Sequence, residues 1–263
     1  MTHLLDLGIS GRNAIICGAS SGLGRACAMS LGRAGVSLVI NARGEAKLNA
    51  TAKQIVEETG VSVIAVPGDI STEEGRKALV RACPAPDILV TNAGGPPSGD
   101  FRGWGEEEWF GALRTNMVSP ILLIREVIDG MMARGWGRVI NLTSYSVKMP
   151  LPLLGMSNGA RSGLVGFASG LAREVAPHGV TINNLLPGNF ATERLRDYAG
   201  KLGKERNMSA DEVLAEMAAK TPVRRVGRPE EFGTWCAFLA SAHTGYVTGQ
   251  NFVLDGGTYP GTF

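Results

Sequence analysis

Short apolar runs recur along the chain, separated by stretches in which apolar residues return every three or four positions. Apolar residues cluster over 14–17, 36–41, 61–66, 87–91, 138–143 and 179–186, with few polar positions inside each run, which predicts strands of a parallel sheet. A seventh strand is predicted inside 247–257. Between them, the pattern predicts helices. Ala26, Cys27, Ala28 and Leu31 form a small-residue face after Gly24, and 47–59 has helical periodicity. Ser71 and Glu74 have the spacing of a capping box, and 106–130 carries the stripe Trp109, Leu113, Met117, Ile121, Ile124 as its core face. Strand–helix alternation of this kind predicts an α/β doubly wound parallel sheet of about seven strands.

Two stretches depart from the alternation. Residues 95–105 are rich in glycine and proline and are expected to be an irregular loop. Residues 190–222 are expected to be a helical insertion lying over a substrate, with Ser209 and Glu212 capping a helix over 211–220. Its first half is basic through Arg194, Arg196, Lys201, Lys204 and Arg206, a solvated face or an attractor of acidic ligands.

Composition narrows the functional classes. A chain of 263 residues, 44% hydrophobic and 19% charged, is expected to be one domain over 1–263 with a substantial core. A net charge of +2 on scattered residues argues against nucleic acid or an anionic membrane as the main partner. Cys17, Cys27, Cys83 and Cys236 form no CxxC pair, and with only three histidines no metal-ligand set is evident. The cysteines read as reduced core residues of a cytoplasmic protein. Residues 1–11 place Asp6 among leucines with no basic start, so no signal peptide is expected, and no stretch reaches the roughly 20 apolar residues of a membrane span.

The strongest chemical signal is the turn Gly18-Ala19-Ser20-Ser21-Gly22-Leu23-Gly24 between the first strand and helix. Gly18 permits the turn, Gly22 lets the backbone approach a pyrophosphate, and Gly24 allows close helix–strand contact; an ordinary tight turn is the alternative. The phosphates then meet the free N–H groups of the helix. After the second strand stands Arg43, behind Ala42, where an acidic residue would select NAD; arginine suits the 2′-phosphate of NADP(H), although Glu45 is near and a solvated loop arginine is the other reading.

The Gly-x3-Gly-x-Gly spacing, Asn92-Ala93-Gly94 after the fourth strand, Pro187-Gly188 after the sixth and the tail over 227–231 and 247–257 together resemble the short-chain dehydrogenase/reductase family over essentially the whole chain. The resemblance implies a Rossmann-type single domain, a dimer or tetramer of identical chains, and hydride transfer between NADP(H) and a carbonyl or alcohol. It implies that Asp69 and Ile70 contact the adenine, that Asn92 ties neighbouring strands, that Ala93 and Gly94 lie on the cofactor, and that Pro187 and Gly188 border the nicotinamide. Ser144 matches the serine that hydrogen-bonds the substrate oxygen, and Asn116 the asparagine that organises a relay water; a structural role competes for Asn116.

The resemblance breaks at the next step. Thirteen positions after the serine the family carries a tyrosine, and four beyond it a lysine; here these are Ser157 and Arg161. Arg161 is expected to grip the nicotinamide ribose, while Ser157 is a poorer acid than tyrosine. Lys148, in the loop after Ser144, is the better proton donor by chemistry, with a solvated loop lysine as the competing reading. Tyr145 follows Ser144 directly, so the two side chains are expected to diverge. The combination of Ser144-x-Ser146-Val147-Lys148 and Ser157-Asn158-x2-Arg161 resembles a divergent, 3-oxoacyl-carrier-protein-reductase-like branch, a likeness that implies little about substrate; a small carbonyl, alcohol or acyl thioester is expected. A non-catalytic dinucleotide-binding protein on the same fold is the rival reading, supported by the missing tyrosine and opposed by Ser144 and Asn116.

Overall fold

The computed structural model of the protein describes residues 6–262, so the first five residues of the stretch read against a signal peptide lie outside it. Seven strands form one parallel sheet in the order β3-β2-β1-β4-β5-β6-β7. They are β1 Asn13–Ile16, β2 Ser37–Ala42, β3 Val63–Pro67, β4 Ile88–Thr91, β5 Gly137–Leu142, β6 Val180–Pro187 and β7 Asn251–Leu254. The order reverses between β1 and β4, the place where α/β sheets open a ligand crevice at the carboxyl ends of their strands.

Successive residues of β1 face opposite layers. Ala14 and Ile16 pack with Cys27, Ala28 and Leu31 of α1 (Gly22–Arg33), Leu48 and Ile55 of α2 (Glu45–Thr59), and Phe232 and Cys236 of α9 (Pro229–Leu239). Ile15 packs in the other layer with Leu79 of α3 (Glu73–Ala82), Leu123 and Val127 of α5 (Ser119–Ala133), and Ala168 and Ala172 of α6 (Gly155–Val175). Both faces of the sheet are thereby covered, which is why apolar residues stand at successive positions of β1, β2 and β4. All four cysteines are buried and unbridged. Among the described residues, no helix is long and apolar enough to cross a membrane.

One polar feature crosses this core. Thr91 donates to Asn141 (2.7 Å), Asn141 to Asn184 (2.9 Å) and Asn184 to Asn251 (2.8 Å), in register across β4, β5, β6 and β7. A ladder of satisfied buried amides fixes strand register, because a one-residue slip would leave each amide unpaired in an apolar layer.

Three expectations are corrected. The cap of α3 is Thr72, whose hydroxyl accepts the Gly75 N–H at 3.1 Å, and not Ser71. The Asp69 carboxylate takes the Ser71 N–H at 2.8 Å and holds Ser71 in the preceding turn. The helix expected over 106–130 is α4 (Glu106–Leu113), a π-turn (Arg114–Val118) and α5, within which Ser119 donates to Arg114 O at 2.6 Å. The extra residue rotates the buried face to Ala112, Asn116, Leu123 and Val127 and leaves Trp109, Leu113, Met117 and Ile121 half-buried; Ile124 is buried as expected. The loop over 95–105 is not wholly irregular, since Phe101–Gly103 forms a 3-10 turn capped by Asp100.

The insertion folds as α7 (Glu193–Arg206) and α8 (Ala210–Lys220), the latter opened by the expected Ser209–Glu212 capping box. Its two ends are tied together where Ala191 N–H donates to Gly227 O (2.8 Å) and Gly227 N–H to Asn189 O (2.9 Å).

Candidate active site

The turn after β1 has the geometry its glycines imply. Gly18 and Gly22 lie at φ +61° and +55°, in the left-handed region that favours glycine. A Cβ on Gly24 would run into the Gly18 carbonyl oxygen and lie 2.8 Å from Asn92 Nδ2, so only glycine lets α1 start this close to the sheet. Asn92 in turn donates to Gly18 O at 3.3 Å, tying the end of β4 to the turn. The N-terminus of α1 has neither a side-chain cap from Ser21 nor an acidic residue in its first turn. Its orphan N–H groups and positive dipole end are left for an anion, and Ser20, Ser21, Gly22 and Leu23 are all partly open beside it.

Around this turn the other expected cofactor residues come together. Ala42 ends β2 and Arg43 follows, exposed. The Asp69 carboxyl is held below its ordinary range, chiefly by the Ser71 N–H and with help from the charge of Arg43. Ile70 is buried and its carbonyl accepts from Arg76 at 2.9 Å. Gly188 N–H donates to Leu254 O at 2.9 Å, and a Cβ there would meet Asp255, so Pro187-Gly188 makes a close turn at the end of β6. These groups fit NADP(H): a pyrophosphate at α1, a 2′-phosphate by Arg43, and an adenine by Asp69 and Ile70.

Ser144 follows β5 at the same edge of the sheet, in extended backbone, and its Oγ accepts the Ser146 N–H at 3.1 Å. That bond occupies a lone pair and leaves the Ser144 O–H to donate. Asn116, inside the π-turn, donates to Gly94 O (3.3 Å) and Ala112 O (3.4 Å), while its buried Oδ1 has no partner among the described residues. A buried acceptor held unsatisfied at a helix irregularity marks a functional position more often than a packing one.

Ser157 and Arg161 are one turn apart on α6, both buried. Arg161 Nε donates to Ser157 Oγ at 3.3 Å, its Nη1 to Leu142 O and Thr143 O at 3.0 Å each, and its Nη2 to Ala93 O at 3.4 Å. This corrects the expectation of a cation free to grip a ribose. Four of the five guanidinium N–H groups are spent on the protein, pinning the ends of β4 and β5, and a single Nη2 N–H remains. Burial, with a contribution from the charge of Arg194, pushes the Arg161 pKa down to about 10, so it remains a cation at neutral pH.

The other proton candidates lie on the 3-10 turn Tyr145–Val147 and just after it. Lys148 is half-buried, and its ammonium makes no hydrogen bond or ion pair among the described residues. Tyr145 is half-buried and its pKa is raised, first by burial and then by Asp255 and Tyr198. Cys17 lies beneath the site but is fully buried, with its thiol pushed up to about 12, and is not a nucleophile at neutral pH.

Sequence reasoning missed the contribution of α7. Thr192 caps it by accepting the Leu195 N–H at 3.2 Å, and the Thr192 methyl stands 3.4 Å from where a Cβ of Gly22 would be. Arg194 reaches over to Gly95. In the sequence Arg194 was only the start of a basic run, and Thr192 carried no signal.

The chain is similar to known proteins over nearly its whole length. The family model described as enoyl-(acyl carrier protein) reductase matches residues 18–259. The acetoacetyl-CoA reductase of Cupriavidus necator is 31% identical over 256 residues, spanning 95% of this chain and 99% of the relative. The 3-oxoacyl-[acyl-carrier-protein] reductase of Vibrio cholerae is 32% identical over 255 residues, spanning 96% and 99%. Among solved structures, L-sorbose reductase from Gluconobacter frateurii, complexed with NADPH and L-sorbose, superposes with a TM-score of 0.92 at 32% identity, covering 97% of this chain and 98% of that one. From the glycine turn after β1 to the last strand, the chain belongs to the short-chain dehydrogenase/reductase family.

Proposed function

We propose that this chain interconverts a carbonyl and an alcohol with NADP(H), Ser144 binding the substrate oxygen and Ser157, backed by Arg161, exchanging its proton. The observation that carries this reading is the placement of Ser144 on the same edge of the sheet as the uncapped N-terminus of α1. Oxidoreductase chemistry on carbonyl and alcohol substrates is the activity named for the relatives, and NADPH is the cofactor named for the sorbose reductase.

When bound, the nicotinamide supplies the hydride. The protein's task is the oxygen. As negative charge grows there, the Ser144 hydroxyl donates into it, held in one direction by the Ser146 N–H. Ser157 receives the Arg161 N–H on its oxygen, so its own proton is free to pass to the substrate. A cation bonded to that oxygen offsets the charge left behind, which is what a serine needs to stand in for a stronger acid. Asn116 Oδ1, the open acceptor in the π-turn packed on α6, is where a water returns the proton. This assignment moves the acid from Lys148 to the Ser157–Arg161 pair, because Ser157 Oγ receives a cation's N–H at 3.3 Å whereas the Lys148 ammonium makes no hydrogen bond among the described residues.

The 190–222 insertion serves as the lid over this site. Assembly into a dimer or tetramer belongs to the same reading, supported by the sheet edge at β7 and the exposed Trp235 and Phe238 of α9. A cytoplasmic location is supported by the four unbridged thiols. Substrates to try first are small ketones and, from the relatives' names, 3-oxoacyl thioesters.

Ser144→Ala is expected to lower kcat/KM about 100-fold or more, the usual loss for one donor at a developing oxyanion, while NADPH binding followed by fluorescence is unchanged. A variant as active as wild type would remove Ser144 from the mechanism. Arg43→Asp is expected to weaken NADPH binding about tenfold or more, through loss of a charge-assisted contact and gain of repulsion, and to improve NADH binding. Dissociation constants for both dinucleotides check this; an unchanged ratio would return Arg43 to the solvated loop.

A further inference from the structure

Arg194 and Arg161 approach the same short segment from opposite elements. The Arg194 guanidinium, from α7, lies against Gly95, where a Cβ would stand 2.5 Å from Nη2 and 3.0 Å from Nη1. Arg161, from α6, holds the carbonyl of Ala93, two residues earlier. The two charges feel each other, and burial pushes the pKa of both down.

Neither cation has a carboxylate within ion-pair distance among the described residues. Three other charges on α7 are paired, Glu193 with Lys47, Arg196 with Asp211 and Arg206 with Glu216, whereas the Arg194 guanidinium is turned to Gly95. The buried Arg161 guanidinium with no anion is costly unless something else supplies one, and the exposed Arg194 guanidinium stands at the same segment. Arg194 has all its donors open, and Arg161 has one left.

The place identifies whose anion it is. The pyrophosphate belongs at the N-terminus of α1, and α7 meets that turn through Thr192 against Gly22. Arg194 points instead to Gly95, where the loop to Trp104 begins. That loop is joined to the one after β5 by Gly99 N–H donating to Leu153 O at 2.8 Å, and Trp104 lies against Gly155. Gly99, Trp104, Leu153 and Gly155 line one cavity at the start of α6. Arg161 also holds Thr143 O, next to Ser144.

We propose that Arg194, with the remaining N–H of Arg161, receives a carboxylate carried by the substrate, so that the chain acts on oxo acids and hydroxy acids in preference to neutral carbonyls. This rests on the carbonyl–alcohol reading above and names its substrate class.

The test pairs 2-oxo, 3-oxo and 4-oxo acids with their methyl esters at pH 7, in wild type, Arg194→Gln and Arg194→Lys. For at least one pair, wild type should prefer the acid about tenfold or more in kcat/KM, Arg194→Gln should lose most of that preference, and Arg194→Lys should keep part of it. Binding of 3-hydroxybutyrate and its methyl ester to the NADPH complex, which cannot react, gives a readout independent of turnover; only the acid should bind detectably, and Arg194→Gln should abolish this.

Equal use of acids and esters by wild type, or equal losses on both in Arg194→Gln, would overturn the proposal. So would an Arg194→Gln defect that lies wholly in NADPH affinity, since the anion would then be the cofactor's. Acid-selective, Arg194-dependent binding without turnover of any carbonyl would uphold the anion site and refute the carbonyl–alcohol reading instead.

Discussion

Replacing Arg161 with methionine should cost about 2–4 kcal/mol of stability and lower kcat/KM about 100-fold or more. The substitution strips a donor from Leu142 O, Thr143 O, Ala93 O and Ser157 Oγ at once. An orphaned buried acceptor costs about 1–3 kcal/mol, so four of them set a large upper limit. Against that stands the charge itself. Its folded pKa of about 10 lies below the ordinary 12.5, so the native state binds this proton less tightly than the unfolded chain. The sign is therefore that the buried cation costs stability below about pH 10 and ceases to do so as pH rises towards 12.5, and methionine removes that cost. The two effects partly cancel, which gives the smaller net loss.

Activity should suffer more than stability, because the strand ends that Arg161 pins carry Ser144, and because Ser157 loses the cation on its oxygen. Arg161→Lys should recover little, since a lysine has no fork to reach four acceptors. Urea unfolding and steady-state rates measure the two effects separately. The proton-transfer role makes one further demand: Ser157→Ala and Arg161→Met should be strongly non-additive in kcat, since each disables the same pair. Additive losses would reduce Arg161 to a strand clamp.

Gly24→Ala should abolish detectable NADPH binding and lower stability by about 3 kcal/mol. The added Cβ meets the carbonyl oxygen of Gly18 and the side chain of Asn92, neither of which is the loose end of a flexible group. α1 has to retreat from the turn, and the N–H groups aimed at the pyrophosphate retreat with it. Fluorescence titration and thermal unfolding check the two halves. Binding within a few-fold of wild type would show that the phosphates do not sit at α1.

The strands were legible because a parallel sheet covered on both faces leaves long apolar runs, and their ends fell within a residue or two of the expected positions. The phosphate turn was legible for a similar reason: its glycines are demanded locally. What escaped depends on partners distant in the chain. The stripe from Trp109 to Ile121 assumed an unbroken period of 3.6, and one extra residue in the π-turn at Arg114–Val118 rotated the buried face and brought Asn116 inward. Ser71 had the right spacing for a cap, but the neighbouring Asp69 captured its N–H first. The acceptors that engage Arg161 come from the ends of two other strands, so its sequence context suggested a free cation where the structure has a clamp. Arg194 resembled its basic neighbours until the fold placed its guanidinium against Gly95, beside the segment that Arg161 holds.

The most direct test of hydride transfer uses NADPH carrying deuterium on one or the other face of nicotinamide C4, incubated with the protein and the carbonyl panel, with the product alcohols analysed by mass spectrometry. The expected result is one deuterium on the carbinol carbon from one face only, lost together with product formation in Ser144→Ala. Tight NADPH binding with no labelled alcohol from any carbonyl would contradict the assignment of this site as a reductase.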